Sequence, residues 1–118
     1  LQTSSIHPTA LVSPEAHIAE GVRIGPFAVI EGPVSIAENC EIAGHALIQG
    51  RVTIASGTRI GWGSVIGADP QDLHFDPQTE SGVEIGENNT LREYVTIHRG
   101  SQAGGMTRIR ANNFLMTG

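Results

Sequence analysis

Residues 24–66 read IGPFAVIEGPVSIAENCEIAGHALIQGRVTIASGTRIGWGSVI, and their spacing decides the fold. Every sixth position is isoleucine: Ile24, Ile30, Ile36, Ile42, Ile48, Ile54, Ile60 and Ile66. Towards the N-terminus the same register takes in Ile18, Val12 and Ile6, so eleven successive positions carry ten Ile and one Val. Ile, Leu and Val together fill roughly a fifth to a quarter of an average chain, so chance would give such a run on the order of once in ten million. The remaining isoleucines, Ile85, Ile97 and Ile109, stand at multiples of six from each other, with Leu91 and Leu115 filling steps between them.

A period of six excludes the common alternatives. On an α-helix, six residues rotate the apolar stripe by about 240° and scatter it. A single strand has a period of two, and no strand runs for sixty residues. Six fits a coil of three flat faces, each a short strand plus a turn, with eighteen residues to a rung. Four positions after each aliphatic residue comes a compact one: Ala10, Ala16, Val22, Ala28, Val34, Cys40, Ala46, Val52, Thr58, Ser64. Both positions point inward, the large residue filling the core and the compact one fitting the corner. The turn-formers Gly21, Gly32, Asn39, Gly44, Gly50 and Gly57 recur where the backbone must bend. The expected fold is all-β: a parallel β-helix of triangular section, with rungs about 4.8 Å apart. Inward Ile, Val and Ala are core residues; chemistry is expected where the repeat breaks.

It breaks twice. Ile66 to Ile85 is a step of 19 rather than 18 residues, and the text between, GADPQDLHFDPQTESGV, is polar and holds Pro70 and Pro77. This predicts a loop over about 67–84 expelled from the coil. A second irregular stretch, Arg99 to Met106, precedes Ile109 and predicts another loop over about 99–108. Loops on rigid solenoids are where binding groups sit. The Gly104-Gly105 pair has no following helix or Lys-Ser/Thr, so it reads as a mobile surface loop ahead of a phosphate cradle.

Composition narrows the function. The 118 residues suffice for one domain, and the span 1–118 is expected to form a single coil. The chain has seven Arg, no Lys and twelve acidic residues, for a net charge of −5, which argues against a nucleic-acid partner. No run approaches the roughly 18 apolar residues of a membrane span. The polar N-terminus shows no secretory leader, and the lone Cys40 excludes an internal disulfide and fits a reducing compartment, so a cytoplasmic location is expected. The chain opens on Leu1 without an initiator Met, as expected of a fragment. The five histidines, His7, His17, His45, His74 and His98, lack metal-ligand spacing, so no metal is expected. His7 and His17 are expected on the solvent side or at a cap. His45 is outward-facing and placed to line a cleft, His98 points away from the core beneath Ile97, and His74 lies in the expelled loop beside Asp72.

Gln71-Asp72-Leu73, Val83-Glu84-Ile85-Gly86, Asn89, Arg92-Glu93, Val95-Thr96-Ile97-His98-Arg99-Gly100, Gly104-Gly105, Thr107, Asn113 and Leu115-Met116 together carry a resemblance. So do Ile6-His7-Pro8-Thr9-Ala10 and Ile24-Gly25-Pro26-Phe27. With them the chain resembles the N-terminal part of the acyl-ACP–UDP-N-acetylglucosamine O-acyltransferases of lipid A biosynthesis, a hexapeptide-repeat family. The hexads alone are common to many acetyltransferases; the text from Gln71 to Gly105 is the specific part.

The resemblance implies a left-handed coil and a homotrimer with active sites between subunits. It implies transfer of a 3-hydroxyacyl group from acyl carrier protein to the 3-hydroxyl of UDP-N-acetylglucosamine, with no cofactor. In such a mechanism a His takes the sugar proton and a backbone N–H steadies the oxyanion. Gln71 and Asp72 match substrate-contacting positions, and His74 stands where the family commonly has Lys, which changes a fixed cation for a titratable ring. The family's base lies in a His-x-x-His-Asp stretch after the Leu-Met segment, so no catalytic residue is expected within the chain. By itself the 118-residue chain is expected to be inactive. Two other functions fit the hexads: a non-catalytic hexapeptide scaffold, and an acetyl-CoA-dependent sugar acetyltransferase, which would not need the Gln71 to Gly105 text.

Overall fold

The computed structural model describes residues 3–117; Leu1 and Gly118, the limits of the expected domain, lie outside the described residues. In chain order the strands are β1 (Ser5–Ile6), β2 (Leu11–Val12), β3 (His17–Ile18), β4 (Arg23–Ile24), β5 (Val29–Glu31), β6 (Ser35–Ile36), β7 (Glu41–Ile42) and β8 (Leu47–Gln49). They continue as β9 (Arg51–Ile54), β10 (Arg59–Ile60), β11 (Val65–Ala68), β12 (Gly82–Ile85), β13 (Thr90–Leu91), β14 (Thr96–His98), β15 (Met106–Ile109) and β16 (Phe114–Leu115). The described residues contain no helix.

Every third strand belongs to the same face. One face stacks β1-β4-β7-β10-β13-β16, the second β2-β5-β8-β11-β14, and the third β3-β6-β9-β12-β15, all in parallel. The register places inward aliphatics on one another: Ile6 on Ile24, Ile24 on Ile42, Ile42 on Ile60, Ile60 on Leu91 and Leu91 on Leu115. The residue after each aliphatic donates its N–H to the rung below, as Gly25 does to Ile42 at 2.8 Å and Ala43 to Ile60 at 2.9 Å. Strands of two residues suffice because each rung lends its full hydrogen-bonding capacity to its neighbours.

The core is the predicted one, graded along the axis. Ile24 to Ile66 are all 3% exposed or less, and the compact positions Val22 to Ser64 lie beside them. Ile6 is 43% exposed and Val12 and Ile18 are only partly buried, because no rung covers them on the N-terminal side among the described residues. Thr58 and Ser64 are buried polar members of the compact series. Their hydroxyls donate to the carbonyls of Gly86 (3.0 Å) and Arg92 (2.9 Å) and accept from the N–H groups of Asn89 and Val95. These pairings tie together two rungs that the expelled loop separates in sequence. A buried hydroxyl satisfied in this way avoids a desolvation cost of about 1–3 kcal/mol.

The corners differ from expectation at one glycine. Gly21, Gly32, Asn39, Gly50 and Gly57 adopt positive φ, but at the Gly44-His45 corner it is His45 that does so (φ 58°). Gly44 serves space instead: a Cβ there would lie 2.5 Å from the Trp62 ring. Phe27 and Tyr94 occupy the same corner column as His45 with φ of 59° each, which is costly for bulky side chains.

Both loops are shorter than the sequence pattern implies. Because β11 extends to Ala68 and β12 begins at Gly82, the first covers residues 69–81; β14 ends at His98 and β15 begins at Met106, so the second covers 99–105. The strands lengthen here because the loops replace tight corners. Ile66 and Ile85 stand on adjacent faces, so their 19-residue step replaces one of six, yet Ile85 still pairs with Ile54 in phase. The exit point is a bulge: pairing with β14 shifts between Ile66 and Ala68, around Gly67 at φ 92°.

Candidate functional site

The first loop turns twice under the control of its aspartates. Asp72 Oδ1 accepts the His74 N–H at 2.9 Å while the Asp72 carbonyl accepts the Phe75 N–H at 3.0 Å. Asp76 repeats the pattern, its Oδ1 accepting from Gln78 N–H at 2.9 Å and its carbonyl from Thr79 N–H at 2.9 Å. Short acidic side chains close such turns by accepting the N–H two residues on. Gln71, Asp72, Leu73 and His74 are exposed together on the first of these turns, Leu73 completely. Asp72 Oδ2 has no hydrogen-bond partner among the described residues. The turn therefore offers a carboxylate oxygen, an amide with donor and acceptor ends, and an imidazole within four residues.

Arg99 ties this loop to the coil. Its side chain is 13% exposed, whereas those of the other arginines in ion pairs are 49–74% exposed. Nε donates to Asp69 Oδ1 at 2.9 Å, Nη2 to the Pro77 carbonyl at 2.9 Å, and Nη1 to the Thr79 carbonyl at 2.5 Å and Ser81 Oγ at 3.3 Å. The Phe75 ring lies 4.8 Å from the guanidinium carbon. His98 adds a second tie, with Nδ1 2.8 Å from the Asp69 carbonyl. Because a carbonyl only accepts, Nδ1 carries the proton in this contact. The sequence shows Arg99 as part of an irregular stretch and of the resemblance, with no role of its own; its burial beside exposed arginines is what singles it out.

The second loop braces the first rather than forming a phosphate cradle. Gly104 N–H donates to Glu80 O at 2.7 Å and Gly105 N–H to Gln102 O at 2.8 Å, so both amides are already used. Ser81 Oγ donates to Gly100 O at 2.5 Å. The stretch is thus fastened to the neighbouring loop.

The other histidines lie apart from the turn. His7 Nδ1 is 2.9 Å from Thr9 Oγ1 in the first rung, and His17 is exposed on β3. His45 lines neither of the two main grooves: it is exposed at a corner with positive φ, between Phe27 (ring centroids 5.2 Å) and Trp62 (6.0 Å). Burial raises the Cys40 thiol above its ordinary pKa, and its S–H donates to Ala55 O at 3.1 Å. The Glu93 carboxyl lies below its usual range, through its own backbone N–H first and then Arg92.

Neither of the two main grooves holds the turn. A groove of about 690 Å³ runs along the β4-β7-β10-β13 face, floored by Gly25, Ala43 and Gly61, with Arg23, Glu41 and Arg59 along one side. A second, of about 490 Å³, lies beside the returning limb of the loop and includes Asp69, Thr79 and Arg99. Gln71, Asp72 and His74 line neither groove and are exposed on the chain.

A family model described as bacterial transferase hexapeptide (six repeats) matches residues 15–50. The acyl-[acyl-carrier-protein]–UDP-N-acetylglucosamine O-acyltransferase of Rickettsia canadensis is 42% identical over 119 aligned residues, covering 100% of this chain and 45% of that protein. The protein of the same name from Sulfurihydrogenibium sp. is 58% identical over 112 residues, covering 94% and 41%. Along its whole length the chain is similar to hexapeptide-repeat acyltransferases. The crystal structure of the Bacteroides fragilis UDP-N-acetylglucosamine acyltransferase superposes with a TM-score of 0.90 at 47% identity, covering 96% of this chain and 44% of that one. The Francisella novicida enzyme gives 0.90 at 40% identity, covering 94% and 41%. The fold shared with them is the left-handed parallel β-helix. This chain spans less than half the length of these relatives.

Proposed function

We propose that the chain is the N-terminal coil, spanning 1–118 as one domain, of an O-acyltransferase. The enzyme moves a 3-hydroxyacyl chain from acyl carrier protein to the 3-hydroxyl of UDP-N-acetylglucosamine, the first step of lipid A biosynthesis. The observation that carries this reading is identity along the whole chain, expelled loops included, to proteins named for that transfer. Hexads alone would be matched by any transferase of this shape; the aspartate-closed turn is not a requirement of the coil.

In this reading Asp72 Oδ2 and the Gln71 amide accept and donate hydrogen bonds to substrate hydroxyls and amide, with His74 in the role of diphosphate neighbour. Their exposure outside the grooves of a single chain supports a homotrimer in which a second copy closes the site. None of the five histidines is assigned as the base; the resemblance puts it in the His-x-x-His-Asp stretch after Leu115-Met116. The enzyme is cytoplasmic in this reading, and among the described residues no helix is long and apolar enough to cross a membrane.

The test uses the product of the complete reading frame. Incubated with 3-hydroxyacyl-ACP and UDP-N-acetylglucosamine, it is expected to give the 3-O-acyl product, identified by mass and by the NMR shift of the sugar H3. Transfer from acetyl-CoA with none from acyl-ACP would move the protein to the sugar acetyltransferases. No transfer from either donor would favour the scaffold.

A further inference from the structure

We propose that Arg99 is a positioning residue that sets the orientation of the Gln71-Asp72 turn. The proposal rests on the acyltransferase reading for its kinetic consequence, but not for its structural one. Arg99 follows β14 directly and is anchored there by its own backbone, whose N–H donates to Ala68 O at 2.8 Å where the loop leaves the coil. From that fixed point its guanidinium reaches both limbs. It holds Asp69 on the outgoing limb, and the carbonyls of Pro77 and Thr79 with Ser81 Oγ on the returning one. The Phe75 ring packs on it from the turn itself. Asp72 lies between these anchors, three residues after Asp69 and three before Phe75, and its carbonyl accepts the Phe75 N–H. Moving Phe75 or Asp69 therefore moves the Asp72 carboxylate.

The geometry needs an arginine. Three nitrogens of a rigid planar fork serve four acceptors while the flat face takes a ring, which a lysine ammonium on a flexible stem does not reproduce. The coil does not need this contact. Strands β11, β12 and β14 are paired by their own backbones, and the inward Ile66, Ile85 and Ile97 are buried without Arg99. Arg99 orders what the coil expels.

The experiment uses the complete-reading-frame protein with Arg99→Lys, Arg99→Met, Asp72→Ala and the Arg99→Lys/Asp72→Ala pair. Amide hydrogen exchange at His74, Phe75 and Thr79 is expected to quicken about tenfold in Arg99→Lys and more in Arg99→Met, while amides of β8 and β9 keep their rates. Acyl transfer is expected to lose up to about a hundredfold in kcat/KM, chiefly through KM for the nucleotide sugar. In the Asp72→Ala background, Arg99→Lys is expected to add little, since both changes remove the same contact. Unchanged exchange in the loop overturns the proposal. So does equal acceleration in β8 and β9, which would make Arg99 a general stabiliser, and so does a full Arg99→Lys effect in the Asp72→Ala background. Absence of transfer by the unsubstituted protein would refute the acyltransferase reading instead, and the exchange rates would still decide whether Arg99 holds the turn.

Discussion

Replacing Ile48 by alanine removes three carbons from the middle of the coil. Ile48 is 0% exposed and stacks between Ile30 and Ile66 on its own face, with Ile42 and Ile54 completing its rung, each 2% exposed or less. Three buried carbons at about 0.8 kcal/mol each give roughly 2.4 kcal/mol of lost transfer free energy. The neighbours cannot close the gap, because each is fixed by backbone ladders above and below, so a cavity cost adds and the total comes to about 4 kcal/mol. For a chain of this size that corresponds to a fall in Tm of roughly 15 °C. Ile6→Ala provides the contrast: at 43% exposure, with only Ile24 stacked on it, it is expected to cost about 1 kcal/mol. Urea titrations followed by far-ultraviolet circular dichroism measure both losses. A loss at Ile48 no larger than the loss at Ile6 would refute the stacked-core account.

Three further outcomes are expected. Gly67→Ala places a Cβ against the Gln49 carbonyl at a φ of 92°, so it is expected to cost more than the roughly 1–2 kcal/mol of left-handed backbone strain alone. Gly50→Ala, at φ 81° with open space, provides that reference in the same urea titration. Cys40 has a raised pKa through burial, so its thiol holds its proton to higher pH when folded than when unfolded; this contribution is complete below the unfolded value of about 8.5 and is lost as pH rises through the folded one. Stability measured from pH 8 to 10 is therefore expected to fall more steeply for the parent than for Cys40→Ala, by up to about 1.4 kcal/mol per pH unit. Substituting the corner residue Tyr94, 70% exposed, by glycine is expected to change the urea midpoint little, since relief of its left-handed φ offsets lost contact with Gly63.

The coil was legible because its rule is one-dimensional. A six-residue period places a residue on a face without knowledge of any distant contact, so Ile24 to Ile66 and the compact series from Val22 to Ser64 follow from arithmetic. The left-handed corners were legible at Gly21 and Asn39 but not at Phe27, His45 or Tyr94, because a bulky residue gives no local sign that its column has imposed positive φ. The loops were legible as interruptions and not as structures. Their bounds moved inward because β11, β12 and β15 each lengthen on the side where a loop stands in place of a tight corner. The role of Arg99 depends on acceptors 18 to 30 residues earlier in the chain, and only folding brings them to one guanidinium. The backbone bond from Gly104 to Glu80 is of the same kind, whereas the one from Gly105 to Gln102 is a local turn.

In the proposed enzyme the coil carries the fold and the expelled turn contacts the substrate, and Asp72→Ala in the complete-reading-frame protein tests this most directly. Asp72 is exposed and makes no contact with the core, so the thermal unfolding midpoint is predicted to stay where it is. Over the same substitution, kcat/KM for transfer from acyl carrier protein to UDP-N-acetylglucosamine is predicted to fall by about tenfold or more, a loss of at least roughly 1.4 kcal/mol of transition-state stabilisation. Unchanged kinetics, or a loss of activity matched by a loss of thermal stability, would contradict it.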